Sequence, residues 1–142
     1  MKNNKLLAIM VIILVTISLI GVVLFIVLTQ LNKQNSSLEP TIDEIIESSV
    51  DVEEITTNLA DGSFIRLQLK VQTTSPKAAK ELSKRDFQIN NIVIEELSEL
   101  TEENLQGKQG KILFASTIKS KLNELMQEGE VQQVYITSYI IQ

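Results

Sequence analysis

The chain has 142 residues, a formal net charge of −5, and neither cysteine nor histidine. The absence of thiols and imidazoles excludes disulfides, cysteine catalysis, an N-terminal lipoprotein anchor and the usual ligands of zinc or transition metals, and it removes the commonest general base near neutral pH. The acidic balance argues against nucleic-acid binding, which needs a cationic surface to displace counterions. No catalytic residue, metal or cofactor is therefore expected.

From Leu6 to Leu28 the chain runs 23 residues without a charge, and eighteen of them are Leu, Ile, Val or Phe. A helix of that length spans about 35 Å at 1.5 Å per residue, enough for a hydrocarbon core of about 30 Å. A cleaved signal peptide has a shorter apolar region and a small-residue cleavage site, and Thr29-Gln30-Leu31-Asn32-Lys33 offers no such site. Residues 6–28 are read as one transmembrane helix. Lys2 and Lys5 precede it, and only Lys33 follows before Arg66. The positive-inside rule then sets residues 1–5 in the cytoplasm and the rest of the chain outside.

Beyond the anchor, ten basic residues face eighteen acidic ones from Gln34 onward. Residues 32–40 are polar and read as a linker, within a linker and acidic segment assigned to 29–49. Eight carboxylates and no basic residue lie between Glu39 and Asp61. Thr41 with Glu44 fits a capping box, predicting a short helix over 42–48 with Ile42, Ile45 and Ile46 on one face. These acids lack the D-x-D-x-D-G order of a calcium loop. They are read as a solvated segment, or as a docking segment for a partner or a neighbouring copy.

Residues 50–142 form the folded domain. Residues 52–59 predict a strand that ends at the turn dipeptide Asp61-Gly62. Phe64 to Thr73 alternates strictly: Ile65, Leu67, Leu69 and Val71 face one side, and Arg66, Gln68, Lys70 and Gln72 the other. Period 2 predicts a half-buried strand, and the two segments a hairpin. Ser75-Pro76 starts a helix that runs to about residue 100, either continuous or with a break near Asp86-Phe87. Thr101-Glu102-Glu103 restarts a cap. Gly107 and Gly110 predict a turn. Ile112, Phe114, Ala115, Ile118, Leu122, Leu125 and Met126 form a helical stripe that stops at Gly129, and Val131 to Gln142 predicts a final strand. The order β-β-α-α-β implies an α+β domain, an antiparallel sheet packed against helices.

Three patterns suggest chemistry. Ser116-Thr117-Ile118-Lys119 matches S-x-x-K, in which a lysine one helical turn on could deprotonate the serine. Its partner motifs S-D-N and K-T-G are absent, so Lys119 is placed on the solvent side of its helix. Lys77, Lys80 and Lys84 share a helical face with Arg85. They read as a solvated face, with Glu81 and Arg85 as a weak i,i+4 pair, or as a contact for an acidic partner. Gly107-Lys108-Gln109-Gly110-Lys111 lacks the order of a phosphate-binding loop and reads as a turn.

Taken in order, several segments resemble the FliL family of flagellar basal-body-associated membrane proteins. They are Thr57-Asn58-Leu59 with Phe64-Ile65-Arg66-Leu67; Arg85-Asp86 leading into Asn91-Ile92-Val93-Ile94; Leu97-Ser98 with Thr101-Glu102-Glu103-Asn104-Leu105; Gly107 to Lys111; and the ending Val134 to Gln142. Ile136 and Ser138-Tyr139 depart from the family pattern, in which an aromatic and an acidic-aromatic pair are common. The resemblance implies a stomatin-like outer domain, assembly of copies into a ring, and association with the ion-driven MotA/MotB stator in swimming and chemotaxis. It implies binding rather than catalysis. The competing reading is an anchored scaffolding or assembly factor of another envelope complex.

Overall fold

The computed structural model describes residues 2–34 and 39–142, which divide into two units, one up to Pro40 and one from Thr41 to Gln142. The first is a helix, α1 (Lys2–Gln34). Its span Asn4–Thr29 has a mean hydropathy of 3.3 and is exposed throughout. A continuous apolar surface of that size has no stable place in water and suits a bilayer. The helix runs six residues beyond Leu28, so the polar stretch read as a linker begins as helix. Residues 35–38 of that stretch lie outside the described residues.

The second unit is of the expected α+β class. Helix α2 (Ile42–Glu47) opens on the capping box: Thr41 N–H donates to Glu44 Oε2 at 2.7 Å, and Glu44 N–H to Thr41 Oγ1 at 3.3 Å. Strand β1 (Ser49–Asn58) starts three residues earlier than the sequence indicates and pairs antiparallel with β2 (Phe64–Thr73). Between them Gly62 sits at φ +84°, a conformation that costs glycine no Cβ clash. The expected long helix is broken into α3 (Pro76–Ser83) and α4 (Asp86–Glu99), close to the predicted point. A single turn, α5 (Glu102–Leu105), precedes α6 (Gly107–Leu125), and β3 (Val131–Ile141) closes the domain.

The sheet order is β1-β2-β3, antiparallel throughout, with β2 in the centre. The predicted inner residues of β2, Ile65, Leu67, Leu69 and Val71, are all buried. They meet Ile89, Val93 and Leu97 from α4 and Phe114, Ile118 and Leu122 from α6 in one core. Burial of each large aliphatic side chain is worth about 1.5–3 kcal/mol. The other face of the sheet is open, with Arg66 and Gln68 exposed.

Gln72 departs from the pattern. It was assigned to the open face, yet it is buried. A bulge opposite Gln72–Thr73 brings β3 side chains over it: Tyr135 donates its hydroxyl to Gln72 Oε1 at 2.8 Å, and Gln72 Nε2 donates to Gln132 at 3.3 Å. Gly110 departs as well. It lies inside the first turns of α6, where a Cβ would collide with the backbone carbonyl of Asn104. The glycine lets α5 and α6 approach, and only Gly107, at φ +70°, serves the turn between them.

Candidate interaction surface

Helix α6 has two working sides. Phe114, Ile118 and Leu122 recur every four residues and point into the core. Lys111, Ala115 and Lys119 form a second row, and Ile112 and Ser116 run beside it. This second side, together with β3 residues Val134 to Ile136 and Tyr139, walls an open cleft of about 500 Å³. Tyr139 is held by Lys111, whose ammonium lies 4.5 Å from the ring centroid, a cation–π contact. Lys111 Nζ also donates to Gly107 O at 3.1 Å, which fixes the lysine over the mouth of the cleft.

The cleft flanks a free sheet edge, because among the described residues β3 pairs only with β2. An edge strand leaves backbone N–H and C=O groups unpaired, and proteins usually guard it with charge or a bulge. The other edge is guarded: β1 bulges between Val52 and Ile55 and carries Asp51, Glu53 and Glu54. Strand β3 holds no Asp, Glu, Lys or Arg over its whole length. The lining contains two lysines and no carboxylate. In a domain that is strongly acidic overall, this cleft is locally cationic, with an apolar floor and an unguarded strand beside it.

The structure brings Ser116 and Lys119 of the S-x-x-K pattern to this cleft. Lys119 is half-buried in the wall rather than on the solvent side of its helix, because β3 packs along that face of α6. No hydrogen bond joins the two side chains, and no oxyanion-stabilising arrangement surrounds Ser116 among the described residues. The segment Gly107 to Lys111 is the opening of a helix, not the expected turn, and it sets the Lys111 ammonium over Tyr139. Sequence reading had no signal for that contact, which joins residues 28 positions apart.

The basic row on α3 divides. Lys80 and Lys84 are exposed, and Lys77 pairs with Glu128 at 2.9 Å. The Glu81–Arg85 pair is more than a weak surface contact: the side chains are only 16% and 20% exposed, with Arg85 Nη2 2.8 Å from Glu81 Oε1. Glu81 also accepts the backbone N–H groups of Gln127 and Glu128, at 3.1 and 2.7 Å. It ties α3 to the loop that feeds β3. The hydrogen bond from Arg85 is the main cause holding its carboxyl below the usual glutamate range. Asp61 acts likewise at the opposite end of the sheet. Its carboxylate accepts Ser63 N–H at 2.9 Å and Glu102 N–H at 2.8 Å, so the hairpin turn also caps α5. Those backbone donors, that of Glu102 first, lower its pKa. These contacts brace both ends of β3 and the cleft beside it.

The family model described as flagellar basal body-associated protein FliL matches residues 49–142. The flagellar protein FliL of Bacillus subtilis is 47% identical over 109 residues, covering 77% of this chain and 78% of that protein. The flagellar protein FliL of Aquifex aeolicus is 25% identical over 88 residues, 60% of this chain and 55% of that protein. The α+β domain that the family model spans and the likeness to the Bacillus subtilis protein agree: the chain belongs to the FliL family of flagellar basal-body-associated proteins.

Proposed function

We propose that this protein acts without catalysis, as a membrane-anchored support for the flagellar stator. Residues 1–5 lie in the cytoplasm, 6–28 cross the membrane, 29–49 form a linker and acidic segment, and 50–142 form the outer domain. Copies of that domain assemble with one another and with the MotA/MotB complex, and so affect stator engagement, torque or direction of rotation. Membership in a flagellar basal-body family supports the setting. The observation that carries a binding role is the unguarded, uncharged β3 edge beside a cationic, apolar cleft. Such a surface fits a docking segment.

The chain is free of cysteine, so introduced cysteines report cleanly. Single cysteines in residues 34–56, paired in membranes with cysteines in the outer linker of the stator, are expected to crosslink. A deletion strain should swim poorly under load or respond abnormally in chemotaxis. Normal swimming under load, with stators recruited as usual, sinks the proposal. A membrane-impermeant thiol reagent should label the domain from outside the cell and leave a cysteine at Asn3 unlabelled; the reverse pattern inverts the orientation.

A further inference from the structure

We infer that the α6–β3 cleft receives helix α2 of a second copy of this chain. The inference rests on the self-association proposed above and names its contact. The occupant must be acidic with an apolar side, because the cleft presents Lys111 and Lys119 around an apolar floor and no carboxylate. Helix α2 has that character. Ile42 and Ile46 lie one turn apart and are 66% and 56% exposed, large apolar side chains that their own domain leaves uncovered. Asp43 and Glu47, also one turn apart, run beside them, and no basic residue occurs between Glu39 and Asp61. The dimensions agree. The six residues of α2 span about 9 Å, and the eight steps from Lys111 to Lys119 about 12 Å, at 1.5 Å per residue.

Within one copy the two surfaces are separated. Helix α2 packs at the start of β1, on one sheet edge, and the cleft flanks β3, on the other. Each copy thus offers one donor and one acceptor surface on opposite edges, and association is head-to-tail. A heterologous contact of this kind propagates until it closes. Anchors held in one membrane confine all copies to one plane, which favours closure into a ring or arc. Direct pairing of β1 with β3 of a neighbour is disfavoured by the bulge and carboxylates on β1; insertion of α2 satisfies the cleft without it.

The test uses the full chain in membranes. The double variant Glu47→Cys/Lys119→Cys, treated with a short bifunctional thiol reagent, should give a ladder of dimers and larger species. Glu47→Cys/Glu103→Cys should give none. Lys111→Glu/Lys119→Glu and Asp43→Lys/Glu47→Lys should each weaken association about tenfold or more, and mixing the two should restore it, as expected for close charge pairs. Ile46→Ser, an exposed substitution that leaves the charges intact, should also weaken it. Oligomers that persist in both charge-reversed variants overturn this contact and leave self-association standing. A native chain that stays monomeric in membranes overturns both.

Discussion

Replacing Gly110 with alanine isolates the packing of α5 on α6. In an exposed helix interior, glycine to alanine stabilises by about 0.5–1 kcal/mol, because alanine loses less backbone entropy on folding. Gly110 lies three residues into α6, so that gain applies here. Against it, a Cβ would overlap the Asn104 carbonyl oxygen and come within 3.1 Å of Asn104 C and 3.2 Å of Leu105 C. All three are backbone atoms. They cannot rotate away as a flexible side chain would, so α5 must shift as a unit. Its position is set at the other end by the Asp61 carboxylate and by burial of Leu105.

Overpacking of this kind costs about 1–3 kcal/mol. Set against the helix gain, the net expected effect of Gly110→Ala is destabilisation of roughly 1–2 kcal/mol. For a domain of about 100 residues that lowers Tm by roughly 4–16 °C. The assay is thermal or urea unfolding of the full chain in detergent, followed by circular dichroism. A variant as stable as the parent, or more so, refutes the reasoning, since it would mean that α5 yields freely or does not lie where its carbonyls meet α6.

Leu122→Ala removes a fully buried side chain from the core and should cost about 2–5 kcal/mol by the same unfolding assay, enough to leave a domain of ordinary stability marginal. Thr73→Val keeps the shape of a buried side chain but deletes the hydroxyl shared between Ser48 O at 2.8 Å and Ser75 O at 2.9 Å; a loss of about 1–2 kcal/mol is expected, smaller than the core truncation. The pH dependence has a definite sign. Glu81 and Asp61 have carboxyl pKa values lowered by folding, so their stabilisation is complete above the ordinary carboxylate pKa of about 4 and is lost as pH falls through and below it. Glu81→Gln should therefore flatten the fall of Tm between neutral pH and pH 3, and an unchanged slope would count against the assigned role of that carboxylate.

Much of the architecture was legible because it follows from local rules. The long apolar helix is a matter of length and composition, the alternation in β2 of period 2, and the starts of α2, α3 and α5 of side chains that reach their own helix termini within three residues. The break between α3 and α4 falls close to Asp86-Phe87, the point at which the sequence allows one. What escaped depends on contacts distant in sequence. Gln72 alternates as a solvent-facing residue, and nothing near it announces that Tyr135 and Gln132 will cover it from a strand 60 residues on. Gly110 reads as turn punctuation; its need for a missing Cβ arises only once α5 folds against α6. The strength of the Glu81–Arg85 pair was missed for the same reason, since the i,i+4 spacing cannot reveal two backbone donors arriving from residues 127 and 128.

The candidate surface shows that limit most clearly. Net charge describes the whole domain and predicts an acidic exterior, which is true on average and misleading at the cleft. Position decides the matter: β2 is the central strand, so β1 and β3 must both be edges, and only the sequence of each edge says which one is left open. β1 carries three carboxylates and a bulge, the usual means of refusing a neighbour. β3 carries no charge at all, and the lysines that line the cleft beside it sit on α6, where they add an electrostatic preference without blocking the strand. An edge left open by accident would be an aggregation hazard. An open edge on one side only, beside a cleft matched to an acidic helix, can instead receive a neighbour in one direction, and that asymmetry is what the proposed head-to-tail assembly requires.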